Sequence, residues 1–174
     1  MAGVPDRRSI RLRGFDYRSA GAYFVTVVAW DRRCLFGEIV EERVSLSRIG
    51  EVVARLWRDI PRHFSHVHLD AFVVMPNHLH GILVLQGRGT ACRAPTEAFG
   101  RPIAGSLSTI TRSFKSASTR LVNLERGTPG ASFWQRGYYE RIVRDDDNLN
   151  RLRRYIDENP LRWALDEENP NRLA

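Results

Sequence analysis

The sequence predicts an α+β fold, an antiparallel sheet with helices packed on it. Three observations carry this. Aromatic and β-branched runs alternate with stretches whose apolar residues recur at helical spacing. Two of the strand-like runs are separated only by Pro76-Asn77, which makes them a tight hairpin and their pairing antiparallel. An apolar helix stripe must bury itself against another element, and a half-polar sheet face is the natural partner.

Residues 1–20 are polar and basic and read as an arm or loop. Tyr23 to Trp30 (YFVTVVAW) has the composition of a buried strand. Residues 31–37 form a loop, and Glu38 to Val44 a second strand. Ser45 or Ser47 can cap a helix over 47–62, whose stripe is Ile49, Val52, Val53, Leu56, Trp57 and Ile60. Val67 to Met75 and His78 to Leu85 are the arms of the hairpin. Residues 86–105 are rich in glycine and proline and read as a mobile loop. A second helix spans Leu107 to Leu124, and a short strand falls within Phe133 to Val143. Asp145, Asp146 or Asp147 can cap a third helix running to Glu158, where Asn159-Pro160 stops it. The whole chain, residues 1–174, reads as one domain.

With 27 basic and 20 acidic residues the formal net charge is +7, and only Lys115 among the basic residues is a lysine. Arginine matches phosphate oxygens with a planar fork and stacks on bases, so the surplus suits a polyanion; genome composition produces the same bias. One cluster is Arg7, Arg8, Arg11 and Arg13; another gathers Arg136, Arg141, Arg144, Arg151, Arg153 and Arg154. No apolar run approaches the length of a membrane span, and the N-terminus lacks the apolar stretch of a secretory signal. Cys34 and Cys92 are too few for a disulfide framework, so a cytoplasmic location is expected and no membrane partner.

His78-Leu79-His80 is the sharpest chemical feature. Residues i and i+2 of a strand project to one side, so both imidazoles are available to chelate a divalent metal. The pattern also describes two ordinary strand histidines, and His66-Val67-His68 repeats it nearby. Tyr155 and Asn159 stand i, i+4 on the third helix and share a face. A phenol is a competent nucleophile when a cation stabilises its anion, and an asparagine amide oxygen could meet the same cation. Equally, the pair fits a packed ring and a helix-terminal residue before proline. Tyr138 and Tyr139 are competing tyrosines.

The combination resembles a known family. The run LDAFVVMPNHLH (residues 69–80), the stretch Ser113-Phe114-Lys115-Ser116, the run WQRGYY (residues 134–139) and the run YIDENP (residues 155–160) occur in the order found in the HUH-type single-tyrosine transposases, and specifically resemble the REP-associated tyrosine transposases. The resemblance extends from about Phe15 to Arg162. It implies the ferredoxin-like, RRM-like fold of HUH endonucleases and a DNA nickase and strand transferase. His78, His80 and Asn159 would hold Mg²⁺ or Mn²⁺, with histidine ligation suiting the softer Mn²⁺. Tyr155 would attack the scissile phosphate to give a 5′-phosphotyrosine link and a free 3′-OH. Related insertion-sequence transposases carry glutamine where Asn159 stands; the REP-associated branch carries asparagine. The substrate implied is single-stranded DNA beside palindromic REP-type hairpins. Arg7, Arg8, Arg11, Arg13, Lys115, Arg136, Arg141, Arg151 and Arg154 are the expected DNA contacts. The expected protein is a nucleoid-associated monomer or homodimer.

Two other functions use the same residues. One is a hairpin-DNA-binding protein derived from a transposase but without catalysis. The other is a water-using metallohydrolase with Zn²⁺ on His66, His68, His78 and His80, for which the sequence shows no neighbouring carboxylate as general base.

Overall fold

The structure, a computed structural model, describes residues 20–86 and 105–172. The basic arm with Arg7, Arg8, Arg11 and Arg13, and nearly all of the loop expected at 86–105, lie outside the described residues.

The expected α+β architecture is what forms. Four strands, β1 (Gly21–Val28), β4 (Val67–Val74), β5 (His78–Leu85) and β6 (Tyr139–Val143), make an antiparallel sheet in the order β4-β5-β1-β6. The short β2 (Gly37–Val40) and β3 (Arg43–Leu46) pair separately. The helices are α1 (Arg48–Arg58), α2 (Ile60–His63), α3 (Leu107–Arg126) and α4 (Asp146–Glu158).

Caps set the helix starts. Ser47 accepts from the Gly50 amide, Ser106 from Thr109 and Asp145 from Asn148, so each long helix opens on a side chain that satisfies one of its free N–H groups. Gly127, at φ 63°, closes α3 in the left-handed conformation that side-chain-bearing residues avoid.

Three expectations are corrected. The first strand starts and stops two residues early, and Trp30 lies in a 3₁₀ turn, half exposed. Glu38 to Val44 is not one strand but a hairpin turning at Glu41-Glu42, both at positive φ. Two-residue hairpins need such turns, which glycine or asparagine normally signals; here neither is present. The helix expected over 47–62 breaks after Arg58, because Pro61 has no N–H to continue the ladder. The third helix ends at Glu158 as expected, but the chain runs on as a 3₁₀ segment, Pro160–Leu165.

Strand alternation gives the sheet two buried faces. Tyr23, Val25, Val27, Leu79, Leu83 and Leu85 pack with Trp57, Ile110 and Phe114 from α1 and α3. Phe24 and Ile82 pack with Leu152 and Ile156 from α4 on the other. On the first face Gly81 lies under the Trp57 ring, so a Cβ there meets the indole. Gly81→Ala is therefore expected to destabilise by about 1–3 kcal/mol, seen as a melting temperature lower by several degrees. An unchanged melting temperature would show that Trp57 is free to move aside.

On the second face, β4 bulges between Leu69 and Phe72. Asp70 at the bulge accepts from Arg153 Nε (2.8 Å) and Nη2 (2.6 Å), which ties α4 to the edge of the sheet. That hydrogen bonding to Arg153 holds the Asp70 carboxyl below its usual range. A carboxyl lowered in the folded state stabilises above its unfolded pKa, and the contribution is lost as pH falls through the folded value. Wild type should therefore melt above Asp70→Asn at pH 5–7, with the difference shrinking below about pH 4. A difference that stays constant with pH would mean the ion pair carries none of it.

Candidate active site

β5 presents His78 and His80 toward α4, both buried. Their Nε2 atoms are 3.0 Å apart. The tautomer of His78 is set by Asn77, which is fully buried. Its Nδ2 donates to the carbonyls of Arg32 (2.9 Å) and Glu168 (2.6 Å), so its Oδ1 is left to accept from His78 Nδ1–H at 2.9 Å. His78 Nε2 therefore carries a bare lone pair. His80 Nδ1 lies 2.8 Å from the Thr26 hydroxyl on β1. Phe24 stacks on the other side of the His80 ring at 5.3 Å. Both imidazoles are neutral at ordinary pH. Burial pushes His78 down to about 4 against the opposing pull of Asp166, and burial together with His78 holds His80 well below the usual imidazole range.

α4 brings Tyr155 over this pair. Its hydroxyl is 3.3 Å from His80 Nε2, and its ring packs edge-on to Phe24 and His80. Tyr155 as a whole remains 40% exposed and borders an open notch. Burial, then the Asp166 carboxylate, raise the Tyr155 pKa, while the Asn159 amide opposes them. Asn159, one turn on from Tyr155, is 2% exposed, and its Oδ1 has no hydrogen-bond partner.

A carboxylate not anticipated from the sequence joins the group. Asp166, just after the 3₁₀ segment, puts a ligand atom with those of His78 and His80 within 4.8 Å. Trp163 of the same segment covers His78 at 6.0 Å between ring centroids.

These residues fit a divalent ion. Two ligands about 2.1 Å from one ion and at right angles to each other are about 3.0 Å apart, as the two Nε2 atoms are. An orphaned buried amide oxygen and a carboxylate supply hard donors beside them.

The other expected residues fall in several places. His66 and His68 are at the far end of the hairpin. His68 pairs with Val84 and Val73 with His80, so about 13 Å of strand separates the two histidine pairs. His66 Nε2 bonds the Gly105 carbonyl instead, so a four-histidine zinc centre does not form. Arg151 and Arg154 line a notch of about 270 Å³ with Tyr155, Glu158 and Arg162. Arg141 pairs with Phe24 across β1 and β6, on the face of the site, and is exposed. Lys115 donates to the carbonyls of Gln135 (2.7 Å) and Gly137 (2.6 Å), and burial lowers it to about 8. It pins the loop before β6 to α3. Arg136 is exposed on that loop.

Asn77, Thr26 and Asp166 escaped sequence reasoning. Asn77 looked like a turn residue. Thr26 left the faint signal of a hydroxyl inside an apolar strand. Asp166 left none, because only the path of the chain after Pro160 brings it to the histidines.

The four-stranded antiparallel sheet with its packed helices is a fold found among solved structures. The REP-associated tyrosine transposase bound to a REP hairpin has this fold, with a TM-score of 0.61 at 20% identity, over 89% of this chain and 73% of that one. The resemblance carried by the motifs is thus borne out at the level of the fold. The chain belongs to the same family as an uncharacterized protein of Haemophilus influenzae, to which it is 36% identical over 172 residues, covering 95% of this chain and 94% of the relative. No protein-family model matches. No helix among the described residues is long and apolar enough to cross a membrane.

Proposed function

We propose that this protein is a metal-dependent single-stranded-DNA endonuclease and strand transferase that cuts beside palindromic hairpins through a 5′-phosphotyrosine link. The observation that carries the reading is the Tyr155 hydroxyl, 3.3 Å from a histidine nitrogen that is itself 3.0 Å from a second one. A nucleophile, a chelating pair and an open approach meet at one point.

His78, His80, Asn159 and Asp166 are the residues that would hold Mg²⁺ or Mn²⁺. Bound there, the ion supplies Lewis-acid stabilisation of charge on the phosphoryl oxygens. Asn77 and Thr26 keep the two imidazoles turned so that Nε2 faces inward. Arg151 and Arg154 flank Tyr155 and can hold the phosphodiester on the exposed side of the phenol. Tyr155 Oη forms a bond to phosphorus as the bond to the 3′ oxygen breaks. The phenol proton passes to solvent, and the departing 3′ oxygen takes one from solvent, so the protons balance. No water adds to the phosphorus, so the ester is conserved and a 3′-OH can reverse the step without ATP. DNA follows from the motif resemblance, from the basic surface beside Tyr155, and from the hairpin held by the transposase of the same fold.

Incubating the protein with Mn²⁺ and single-stranded hairpin DNA labelled on the 3′ side of the cut separates the readings. A labelled, denaturation-resistant protein band supports strand transfer. Binding without cleavage supports a retired transposase, and multiple turnover without an adduct supports hydrolysis.

A further inference from the structure

A second concavity, of about 1210 Å³, lies between α3 and the loop that leads to β6. It exceeds the roughly 300–1,000 Å³ of small-molecule pockets, which suits a polymer. Its lining includes Arg112, Lys115, Arg120 and Arg136 and no aspartate or glutamate. The three arginines are exposed, and none has an ion-pair partner among the described residues. Between them the wall is apolar, with Leu124, 78% exposed, Pro129 and Tyr138.

The groove is joined to the candidate active site by the sheet. Its loop wall bonds to the end of β1: Gln135 N–H donates to the Val28 carbonyl, and Val28 is the register partner of His78. The same loop ends in Tyr139, which is opposite Thr26, the residue that holds His80. Tyr139 is 43% exposed and edge-on to Phe24. A strand leaving Tyr155 can therefore pass over Tyr139 and the edge of β6 into the groove.

We propose that this groove binds the single-stranded DNA flanking the hairpin, with bases against the apolar wall and phosphates on Arg112, Arg120 and Arg136. A duplex stem hides its bases and would use only the arginines, whereas an unpaired strand uses both kinds of lining. The inference rests on the DNA-processing function proposed above and assigns where the strand runs.

The test measures affinity of the full chain for two probes. One is a hairpin with single-stranded tails of about 12 nucleotides, and the other is the same hairpin without tails. The variant Arg112→Ala/Arg120→Ala/Arg136→Ala alters exposed side chains, and circular dichroism checks its fold. The tailed probe should weaken at least about tenfold, with its log–log salt slope reduced by about 2, while the bare hairpin changes less than about twofold. Photo-crosslinking from 4-thiothymidine in the tail should label the peptide 127–138. Equal losses on both probes, no loss on either, or crosslinks elsewhere would overturn the proposal. A wild-type protein that binds neither probe overturns this groove and the DNA reading together. Failure to form the tyrosine adduct, with tail binding intact, counts against strand transfer alone.

Discussion

Tyr155→Phe is expected to abolish the covalent protein–DNA adduct while hairpin binding survives. The substitution removes one oxygen and keeps the ring, so packing against Phe24 and His80 persists and the melting temperature should stay close to wild type. Removing the nucleophile of a covalent mechanism costs catalysis on the order of 10⁴-fold or more, so the adduct should fall below detection on a denaturing gel. Because the phenol pKa is raised by burial and by Asp166, the wild-type oxygen is protonated at neutral pH without a cation nearby. Adduct formation should accordingly require added divalent metal. An adduct that persists in Tyr155→Phe would move the nucleophile to Tyr139, which is exposed and borders the same phenylalanine, or to Tyr138.

His80→Ala is expected to eliminate both divalent-ion binding, measured by titration calorimetry with Mn²⁺, and DNA cleavage. His80 supplies one of the two inward nitrogens, and its loss leaves one imidazole beside the Asn159 and Asp166 oxygens, too weak a set to hold Mn²⁺ through the titration. The same titration distinguishes the two H-x-H pairs. His66→Ala should leave Mn²⁺ affinity unchanged, since its ring is bonded to Gly105 and sits at the other end of the hairpin. Asn77→Ala tests orientation without removing a ligand. With the partner of His78 Nδ1–H gone, Mn²⁺ affinity should fall by about 10–100-fold. If His66→Ala weakens binding as much as His80→Ala, the metal centre has been placed at the wrong end of the sheet.

Much of the molecule is legible in order along the chain. β5 begins and ends where the hydrophobic run does, and α3 begins at Leu107 behind the Ser106 cap. What failed locally failed for a definable reason. The Glu41-Glu42 turn uses left-handed backbone at residues that do not advertise it, and one proline splits a continuous apolar stripe. In the site, His78 with His80 and Tyr155 with Asn159 were visible as pairs, because strand and helix repeats project such residues together whatever the rest of the chain does.

The sequence by itself therefore determined the elements, the two pairs and the surplus of arginine. Only the tertiary structure decided that the pairs meet. The antiparallel register puts His78 and His80, rather than His66 and His68, at the end of the sheet that α4 covers with Tyr155. It also brings in Asp166 from beyond the last helix, turns Asn77 into the holder of an imidazole, and separates Lys115, bound to carbonyls, from the exposed arginines. The physical reason is range. Periodicity reflects backbone geometry over a few residues, whereas contacts across 54, 75 or 83 residues depend on which apolar faces can be buried together.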